Sequence, residues 1–532
     1  MASRFHKGVD SLAKIANRFD KQSNRDRLAL ILILSRVELK PDDELQRYVK
    51  LLLHSLAFAM DKTTWQAAVR ELSRVGNVLQ KLRIDRKTKL KNSGMPFTDL
   101  VSTFTYDFFK WISKQRGLAV SIDRVDGTDA DVNDTIGVVL PSLIRSDTTA
   151  GYTGDELFDA LDVPPGRRLK FILDLFNKLD GEPFVRDLLF EKLAVWLRIT
   201  PTEKRWSIPF NRLSLAKPYF HDELLRKFDH AELVDRRIQS HIKLTVQARK
   251  ELIRVIKAAM MLTDRETDTV TYMDERSVRF YRLDRGIAVA IYGMTPDRQM
   301  PLESYVGYTL FKNGWPAAYG GGWVFGRRCG FGINIFEPYR GGESGYMFCQ
   351  LLRVYAQVFG VRFFEVESFQ FGEDNAEGIA SGAFWFYYRY GFRPMERSLK
   401  KLAEHEFKLG KSRPTSTKVL EQLATGNLVL NLGGKTPMSV YDVTRRVKRM
   451  IRWNYANDLG AAIGDCSTTL LQTSGHVGSS RLDSRVLGEF ALWASAFRIR
   501  DKQKLSLLIQ LVRTKPVDVY KYQALLLRFL GD

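Results

Sequence analysis

Apolar positions in the first part of the chain recur at helical spacing. Leu45, Tyr48, Leu52 and Leu56 follow one another at steps of three, four and four residues, so one helix face would carry all of them. Patterns of this kind predict a helical domain over residues 1–120. A polar, acidic loop begins at residue 121, and helical patterns then continue to about residue 265.

The pattern changes to strands at about residue 270. TVTYMDERSVRFYRL and GIAVAIYGM have strand composition, and Asn313-Gly314 favours a tight hairpin turn between two further strands. Residues 329–395 then predict a strand, a glycine-bearing turn, an amphipathic helix, a second strand and an aromatic helix. Helical patterns return from residue 398 to 532. We therefore predict an α+β fold: a mostly helical chain with a central mixed β-sheet domain over 270–397, flanked by N- and C-terminal helical regions.

Composition adds a strong positive charge. Lys and Arg number 82 against 61 Asp and Glu, which gives a net charge of +21. Such an excess favours an anionic partner, although a basic surface on a soluble protein explains it equally well. Two basic runs stand out, at residues 81–91 and 445–452.

The sequence predicts neither a metal site nor a membrane-spanning helix. Cys329, Cys349 and Cys466 fit no zinc spacing, and the histidines form no metal-spaced pair on a helix. No apolar run is long enough to span a membrane, and the first residues lack the apolar core of a secretory signal. We expect a cytoplasmic protein with reduced thiols, no metal and no membrane span.

The glycine-bearing turn is the strongest candidate for chemistry. Arg340-Gly341-Gly342-Glu343-Ser344-Gly345 joins the strand that ends near Phe336 to a helix whose apolar face includes Phe348 and Leu352. Backbone N–H groups at a helix start lack internal partners, glycines allow close approach, and Arg340 could add a charge-assisted contact. The turn predicts a site for a phosphate group.

Residues 275–395 resemble the GNAT superfamily, the acyl-coenzyme A-dependent N-acyltransferases. The family's phosphate loop has Arg or Gln, two variable residues, Gly, one variable residue, then Gly or Ala. Arg340 and Gly345 match its ends, and Glu343 stands where the inner glycine is usual. A second set of family offsets is matched by Ala383, Tyr387 and Gly391-Phe392.

The resemblance implies a GNAT-like sheet, acetyl-CoA or another acyl-CoA as cosubstrate, and an amine acceptor that is a small molecule, a peptide or a protein. In the family, a tyrosine at the position of Tyr387 often protonates the leaving thiolate, a task that suits a phenol. A base is needed to take a proton from the amine, often through water. Glu337 at the end of one predicted strand is a candidate, and so are Glu365 and Glu367, which share one face of the predicted strand VRFFEVESF. The cofactor contacts implied by the resemblance are Ile335, Phe336, Arg340, Gly341, Gly342, Glu343, Ser344, Gly345, Tyr346 and Ser381.

Two other functions stay open. Glu343 in the phosphate loop and the large helical remainder favour a GNAT-like fold that has lost catalysis and serves as a binding or scaffold module. The net charge and the two basic runs favour association with nucleic acid, for example as a transferase acting on charged tRNA.

Overall fold

The computed structural model describes residues 4–145, 152, 154–179, 181–215, 217–410, 413–476 and 482–531. Part of the acidic loop expected after residue 121, residues 146–151 and 153, lies outside the described residues. The predicted α+β class is confirmed, because helices surround an eight-stranded sheet and a separate three-stranded sheet. Among the described helices, none has the length and apolar character needed to cross a membrane.

Four helices open the chain, in agreement with their apolar spacing: α1 (Arg4–Ile15), α2 (Lys21–Leu34), α3 (Asp43–Ala57) and α4 (Lys62–Lys81). Asp42 begins α3 by accepting a hydrogen bond from the backbone N–H of Leu45, which satisfies one of the free donors of the first turn. The buried Arg27 donates hydrogen bonds to the carbonyls of Ile15, Ala16 and Arg18. It thereby fixes the connection between α1 and α2, which lies against the glycine turn described below.

The next part of the chain builds a small antiparallel sheet that the sequence analysis did not predict. Its elements are β1 (Leu100–Thr103), α5 (Tyr106–Ile112), β2 (Leu118–Val125), α6 (Asp129–Val139), α7 (Gly154–Ala160), α8 (Pro165–Asn177), α9 (Pro183–Lys192) and β3 (Val195–Pro201). The strand order is β1-β3-β2. Leu100 pairs with Ile199, so the short β1 is stabilised by a partner far along the chain and carries little local signal.

Three helices lead into the central sheet: α10 (His230–Asp235), α11 (Val246–Leu262) and α12 (Asp268–Thr271). The elements of the sheet region are β4 (Arg279–Arg282), β5 (Ile287–Gly293), β6 (Ser304–Lys312), β7 (Trp315–Phe325), β8 (Arg328–Ile335), α13 (Ser344–Phe359), β9 (Phe363–Val366), α14 (Ala376–Ser381), α15 (Ala383–Arg389) and β10 (Arg393–Pro394). Strands β4 to β8 form an antiparallel meander, and β9 pairs with β8 in parallel.

The C-terminal region is mostly helical but also contributes a strand to the central sheet. Its elements are α16 (Arg397–Leu409), α17 (Thr417–Leu423), β11 (Leu428–Asn431), α18 (Val440–Asn454), α19 (Leu459–Thr473), α20 (Ser484–Ala496), α21 (Lys502–Thr514) and α22 (Val519–Leu530). The sheet order is β10-β11-β9-β8-β7-β6-β5-β4, so β11 inserts between β9 and β10. The last helices enclose their own apolar cluster, which reaches the sheet through the contact of Trp493 with Phe325 at 5.6 Å.

Helix α13 covers one face of the central sheet. Phe331 of β8 lies 6.1 Å from Phe348 and 5.0 Å from Tyr355, both on α13, measured between ring centroids. Side chains alternate along a strand, so Gly330, Gly332 and Asn334 of β8 face the opposite side. We call these the helix face and the open face of β8.

Candidate functional site

Strands β8 and β9 separate part of the way along their length. Their parallel register joins only Arg328, Cys329 and Gly330 to Phe363, Phe364 and Glu365. Strand β8 continues to Ile335, whereas β9 ends at Val366. The second half of β8 is therefore not paired with β9. We call this unpaired edge the opening, and the glycine turn follows at the end of that half.

The turn has the predicted form of a strand, a glycine-bearing connection and a helix. A short 3-10 helix over Glu337–Tyr339 precedes it, and α13 begins at Ser344. Gly341 and Gly342 have φ angles of 78° and 48°, which favour glycine over residues with a Cβ atom. Within the turn, Arg340 and Gly341 are exposed and Glu343 is buried.

The side chain of Glu343 points into the protein. Its carboxylate accepts hydrogen bonds from Lys312 Nζ at 2.6 Å, from Arg285 Nε at 2.7 Å and from the backbone N–H of Leu225 at 3.0 Å. His221 Nε2 lies 3.5 Å from Glu343 Oε2. The acidic group of the glycine turn is thus enclosed by cations on the inner side of the turn.

These contacts shift the pKa values of the cluster. Burial acts to raise the pKa of Glu343, but the hydrogen bond with His221, the charge of Lys312 and the Arg285 hydrogen bond outweigh it and lower the pKa overall. Burial lowers the pKa of Lys312 to about 8, against the opposing pull of Glu343. Burial also lowers the pKa of His221. At neutral pH the cluster therefore holds an ionised Glu343 against charged Lys312 and Arg285.

Arg340 links the turn to the far side of the opening. Its Nε donates to the carbonyl of Ile335 at 3.1 Å, and its Nη1 donates to Glu377 Oε1 at 3.1 Å. Because Glu377 belongs to α14, which follows β9, the guanidinium group spans from the end of β8 to the β9 side. Half of the Arg340 side chain is exposed, so the group is accessible to a ligand.

The N-terminal helices and the aromatic segment pack closely around the turn. A Cβ atom on Gly342 would lie 2.9 Å from the ring of Phe58, and one on Gly345 would lie 1.6 Å from the Tyr390 hydroxyl oxygen. His54 Nδ1 lies 3.1 Å from the carbonyl of Pro338, which accepts the hydrogen bond. The turn is therefore held from both sides, and Tyr390 lies directly over the start of α13.

Tyr387 lies on the helix face of the sheet. Its ring centroid is 5.6 Å from that of Phe348 and 5.8 Å from that of Phe392. Burial raises the pKa of Tyr387, so the phenol is protonated at neutral pH. Tyr308, whose hydroxyl donates to the carbonyl of Gly332 at 2.8 Å, has its pKa raised by burial and next by Tyr387. The Tyr387 phenol thus lies near the second half of β8.

The three predicted carboxylates lie in different environments. Glu337 is 63% exposed and its Oε2 accepts a hydrogen bond from Lys50 Nζ at 2.6 Å. Glu365 is paired with Arg328 at 2.5 Å and accepts a hydrogen bond from Asn427. Glu367 is exposed at the residue after β9. The structure does not bring these three groups together.

A fourth carboxylate, which the sequence analysis missed, lies on the open face. Glu266 Oε2 accepts a hydrogen bond from the hydroxyl of Tyr319 at 2.8 Å. Tyr319 pairs with Asn334 across β7 and β8, so both side chains lie on the open face beside the opening. Burial, followed by Glu266, raises the pKa of the Tyr319 phenol, which keeps it a hydrogen-bond donor to an exposed carboxylate.

A pocket of about 230 Å³ adjoins the end of β8. Its wall includes Phe336, Glu337 and Lys50, together with Asn92 and Arg265 from the region before the sheet. Arg265 immediately precedes Glu266. The pocket therefore connects the strand end with the segment that carries the new carboxylate.

The remaining predicted contacts are mostly backbone or structural. Phe336 is buried and stacks on Tyr319 at 5.2 Å between ring centroids. Tyr346 is buried, and its hydroxyl accepts a hydrogen bond from Gln350 at 2.8 Å. Ser381 donates to the carbonyl of Gly378 at the end of α14. Among the described residues, no group of three or more His, Cys, Asp and Glu side chains could hold a metal ion.

No protein-family model, no curated protein and no solved structure matches this chain.

Proposed function

We propose that the central sheet domain is an acyl-CoA-dependent N-acyltransferase of the GNAT type, transferring an acetyl or other acyl group to an amine. The observation that carries the proposal is the separation of β8 from β9 after Gly330, with the glycine turn at the end of β8. A phenol, Tyr387, lies on the helix face of the sheet, and a carboxylate, Glu266, lies on the open face. Acyl transfer to an amine uses a base that accepts the amine proton and an acid that protonates the leaving thiolate.

The turn fits an anionic cofactor despite its acidic residue. A carboxylate facing a pyrophosphate would repel it, but the Glu343 side chain faces inward and is balanced by Lys312 and Arg285. The outer side carries the backbone of Gly341 and Gly342 and the guanidinium of Arg340, which pairs there with the exposed Glu377 and would exchange that partner for a phosphate. These groups would hold the phosphates, and the bound acyl-CoA would supply an activated acyl thioester.

Two side chains carry the two proton transfers of the proposed reaction, Glu266 as the base and Tyr387 as the acid. Glu266, exposed and hydrogen-bonded to Tyr319, accepts the proton of the attacking amine, directly or through water. Tyr387 is protonated and donates its proton to the departing thiolate. The pocket beside Phe336 and Arg265 is the acceptor site, which suits a small amine in size.

One observation favours a second function, binding without catalysis. The Tyr390 hydroxyl lies against the backbone of Gly345 and occupies space over the first turn of α13. That space is where the helix N–H groups would meet a phosphate. A domain that retained the fold but kept this tyrosine in place would serve as a binding or scaffold module.

Calorimetry with acetyl-CoA and longer acyl-CoA forms, followed by a free-thiol assay with a panel of amines, tests the proposal. We expect saturable heat and amine-dependent thiol release. Arg340→Ala should weaken acyl-CoA binding about 10-fold or more, because a charge-assisted contact is lost. Arg397→Ala, at an exposed arginine that begins α16, is the matched control and should bind normally. No heat at millimolar acyl-CoA would overturn the proposal, and binding without thiol release would establish the second function instead.

A further inference from the structure

The outer face of helix α18 combines exposed aromatic and basic side chains. We call this set the α18 face: Tyr441, Arg445, Lys448, Arg449, Arg452 and Trp453. At 3.6 residues per turn these positions fall on one side of the helix. Tyr441 is 70% exposed and Trp453 is 73% exposed, which is unusual for rings of this size.

The opposite face fixes the helix on the protein. Val443 and Ile451 are buried in the C-terminal apolar cluster. Arg446 is exposed at the edge between the two faces, with its guanidinium 4.4 Å from the centre of the Phe497 ring. Ser439 and Asp442 form a capping box at the helix start, so the one acidic side chain of α18 is occupied there. The α18 face is therefore presented by a well-anchored helix.

Four basic side chains of the α18 face form no ion pair within the part of the chain that the structure describes: Arg445, Lys448, Arg449 and Arg452. Like charges three or four residues apart on a helix repel one another, so their clustering destabilises the helix unless an anion is bound. The other basic run differs, since Lys87 is buried and donates to the carbonyl of Phe97 at 2.7 Å.

Two arginines of the α18 face lie within cation–π distance of its two aromatic rings. The guanidinium of Arg445 lies 6.0 Å from the centre of the Tyr441 ring, and that of Arg449 lies 5.9 Å from the centre of the Trp453 ring. Each ring is one helical turn from its arginine and keeps its other surface exposed. Proteins that bind single-stranded nucleic acid without sequence preference stack aromatic rings on the nucleobases and place basic side chains against the phosphates. The α18 face offers both kinds of group.

We propose that the α18 face binds single-stranded nucleic acid. The rings stack on unpaired bases, and Arg445, Lys448, Arg449 and Arg452 contact the phosphates between them. The face is about 18 Å long from Tyr441 to Trp453, enough for a few nucleotides. An anionic membrane is the less suitable partner, because interfacial helices insert an apolar stripe and α18 exposes no aliphatic side chain. The proposal is independent of the acyltransferase activity.

Fluorescence anisotropy of the full chain with a labelled 12-nucleotide oligouridylate tests the proposal, across 50 to 200 mM salt. We expect saturable binding that weakens as salt rises. Arg445→Gln/Arg449→Gln should lower affinity at least 10-fold and reduce the salt slope by about 1.4, the value for two single-strand phosphate contacts. Trp453→Ala should lower affinity about fivefold or more while binding to a duplex of equal length changes less. Lys400→Gln/Lys401→Gln, which removes two exposed charges from α16, is the matched control and should retain binding.

Several results would overturn the proposal. They are absence of binding at 50 mM salt, equal losses in the α16 control, or binding of polyglutamate as tight as that of oligouridylate. A further one is α18-dependent binding to phosphatidylserine vesicles without binding to oligouridylate. Circular dichroism of each variant verifies folding. If the double variant unfolds, Trp453→Ala alone still distinguishes the outcomes, because stacking is lost without loss of charge.

Discussion

Lys312 Nζ donates a hydrogen bond of 2.6 Å to Glu343 Oε2, and both side chains are fully buried beneath the glycine turn. Lys312 ends β6, whereas Glu343 immediately precedes α13, so the pair joins the meander to the turn. Arg285 completes the neutralisation from the other side at 2.5 Å. The backbone of the turn is thereby fixed by its own acidic residue, and the Glu343 carboxylate is kept away from the outer side of the turn.

Lys312→Met should destabilise the protein. It leaves Glu343 buried with fewer cations, and removal of one partner of a buried pair typically costs about 3–5 kcal/mol. Guanidinium unfolding measures the loss. The double variant Lys312→Met/Glu343→Gln removes the uncompensated charge, so it should be more stable than Lys312→Met. A double variant that is less stable than the single one would contradict the assigned pairing.

The positions of the hairpin turn and of the glycine turn could be predicted from sequence, but the direction of the Glu343 side chain could not. Asn313-Gly314 signals a hairpin locally, and both residues have positive φ angles, 45° and 88°. By contrast, the partners of Glu343 come from positions 31 and 58 residues earlier in the chain, which no local pattern connects. For the same reason β11 and the small sheet, which depend on distant pairing, carried no recognisable signal.

The proposed general base, Glu266, could not be predicted from local sequence either. The candidates predicted from sequence were Glu337 at a strand end, and Glu365 and Glu367 on one face of a strand. Glu266 lies between two helices, and its partner Tyr319 is 53 residues away. Only the packing of the α11–α12 connection against the open face of the sheet brings them together. The glycine turn follows from neighbouring residues in the sequence, whereas the contact of Glu266 with Tyr319 depends on tertiary packing.

Glu266→Gln should reduce acyl transfer about 100-fold, because general base catalysis contributes on that order. The amide oxygen can still accept the Tyr319 hydrogen bond, so the fold should be retained. The decisive measurement is kcat/KM at neutral pH, with circular dichroism of each variant to verify folding. Glu365→Gln and Glu367→Gln serve as comparisons and should keep the native kcat/KM to within about threefold. A loss of about 100-fold in either of them, with Glu266→Gln unaffected, would reassign the base.

Tyr387→Phe should lower kcat about 100-fold with little change in KM, because in the proposed mechanism the phenol acts on the leaving thiolate rather than on binding. Steady-state kinetics with a chosen amine gives both constants. Tyr388→Phe is the matched control, because it removes a phenol from the next position of α15. Equal turnover in Tyr387→Phe and the native protein would remove Tyr387 from the mechanism.

The buried His54 beneath the turn should make stability depend on pH. Burial lowers its pKa to about 4 from an ordinary value of 6.5. The unfolded chain therefore binds the proton more readily between these values, and the stability contributed by the neutral ring is complete above pH 6.5 and declines as pH falls toward 4. Between pH 7.5 and pH 5 this amounts to a loss of about 2 kcal/mol from His54 alone. Urea unfolding at both pH values measures this loss of stability.

Two variants serve as controls. His54→Asn can keep the hydrogen bond to Pro338 and does not titrate, so its loss of stability between pH 7.5 and pH 5 should be smaller by about 2 kcal/mol. His405→Asn, at an exposed position, should show the same loss as the native protein. Identical pH dependence in the native protein and His54→Asn would show that His54 is not held neutral beneath the turn.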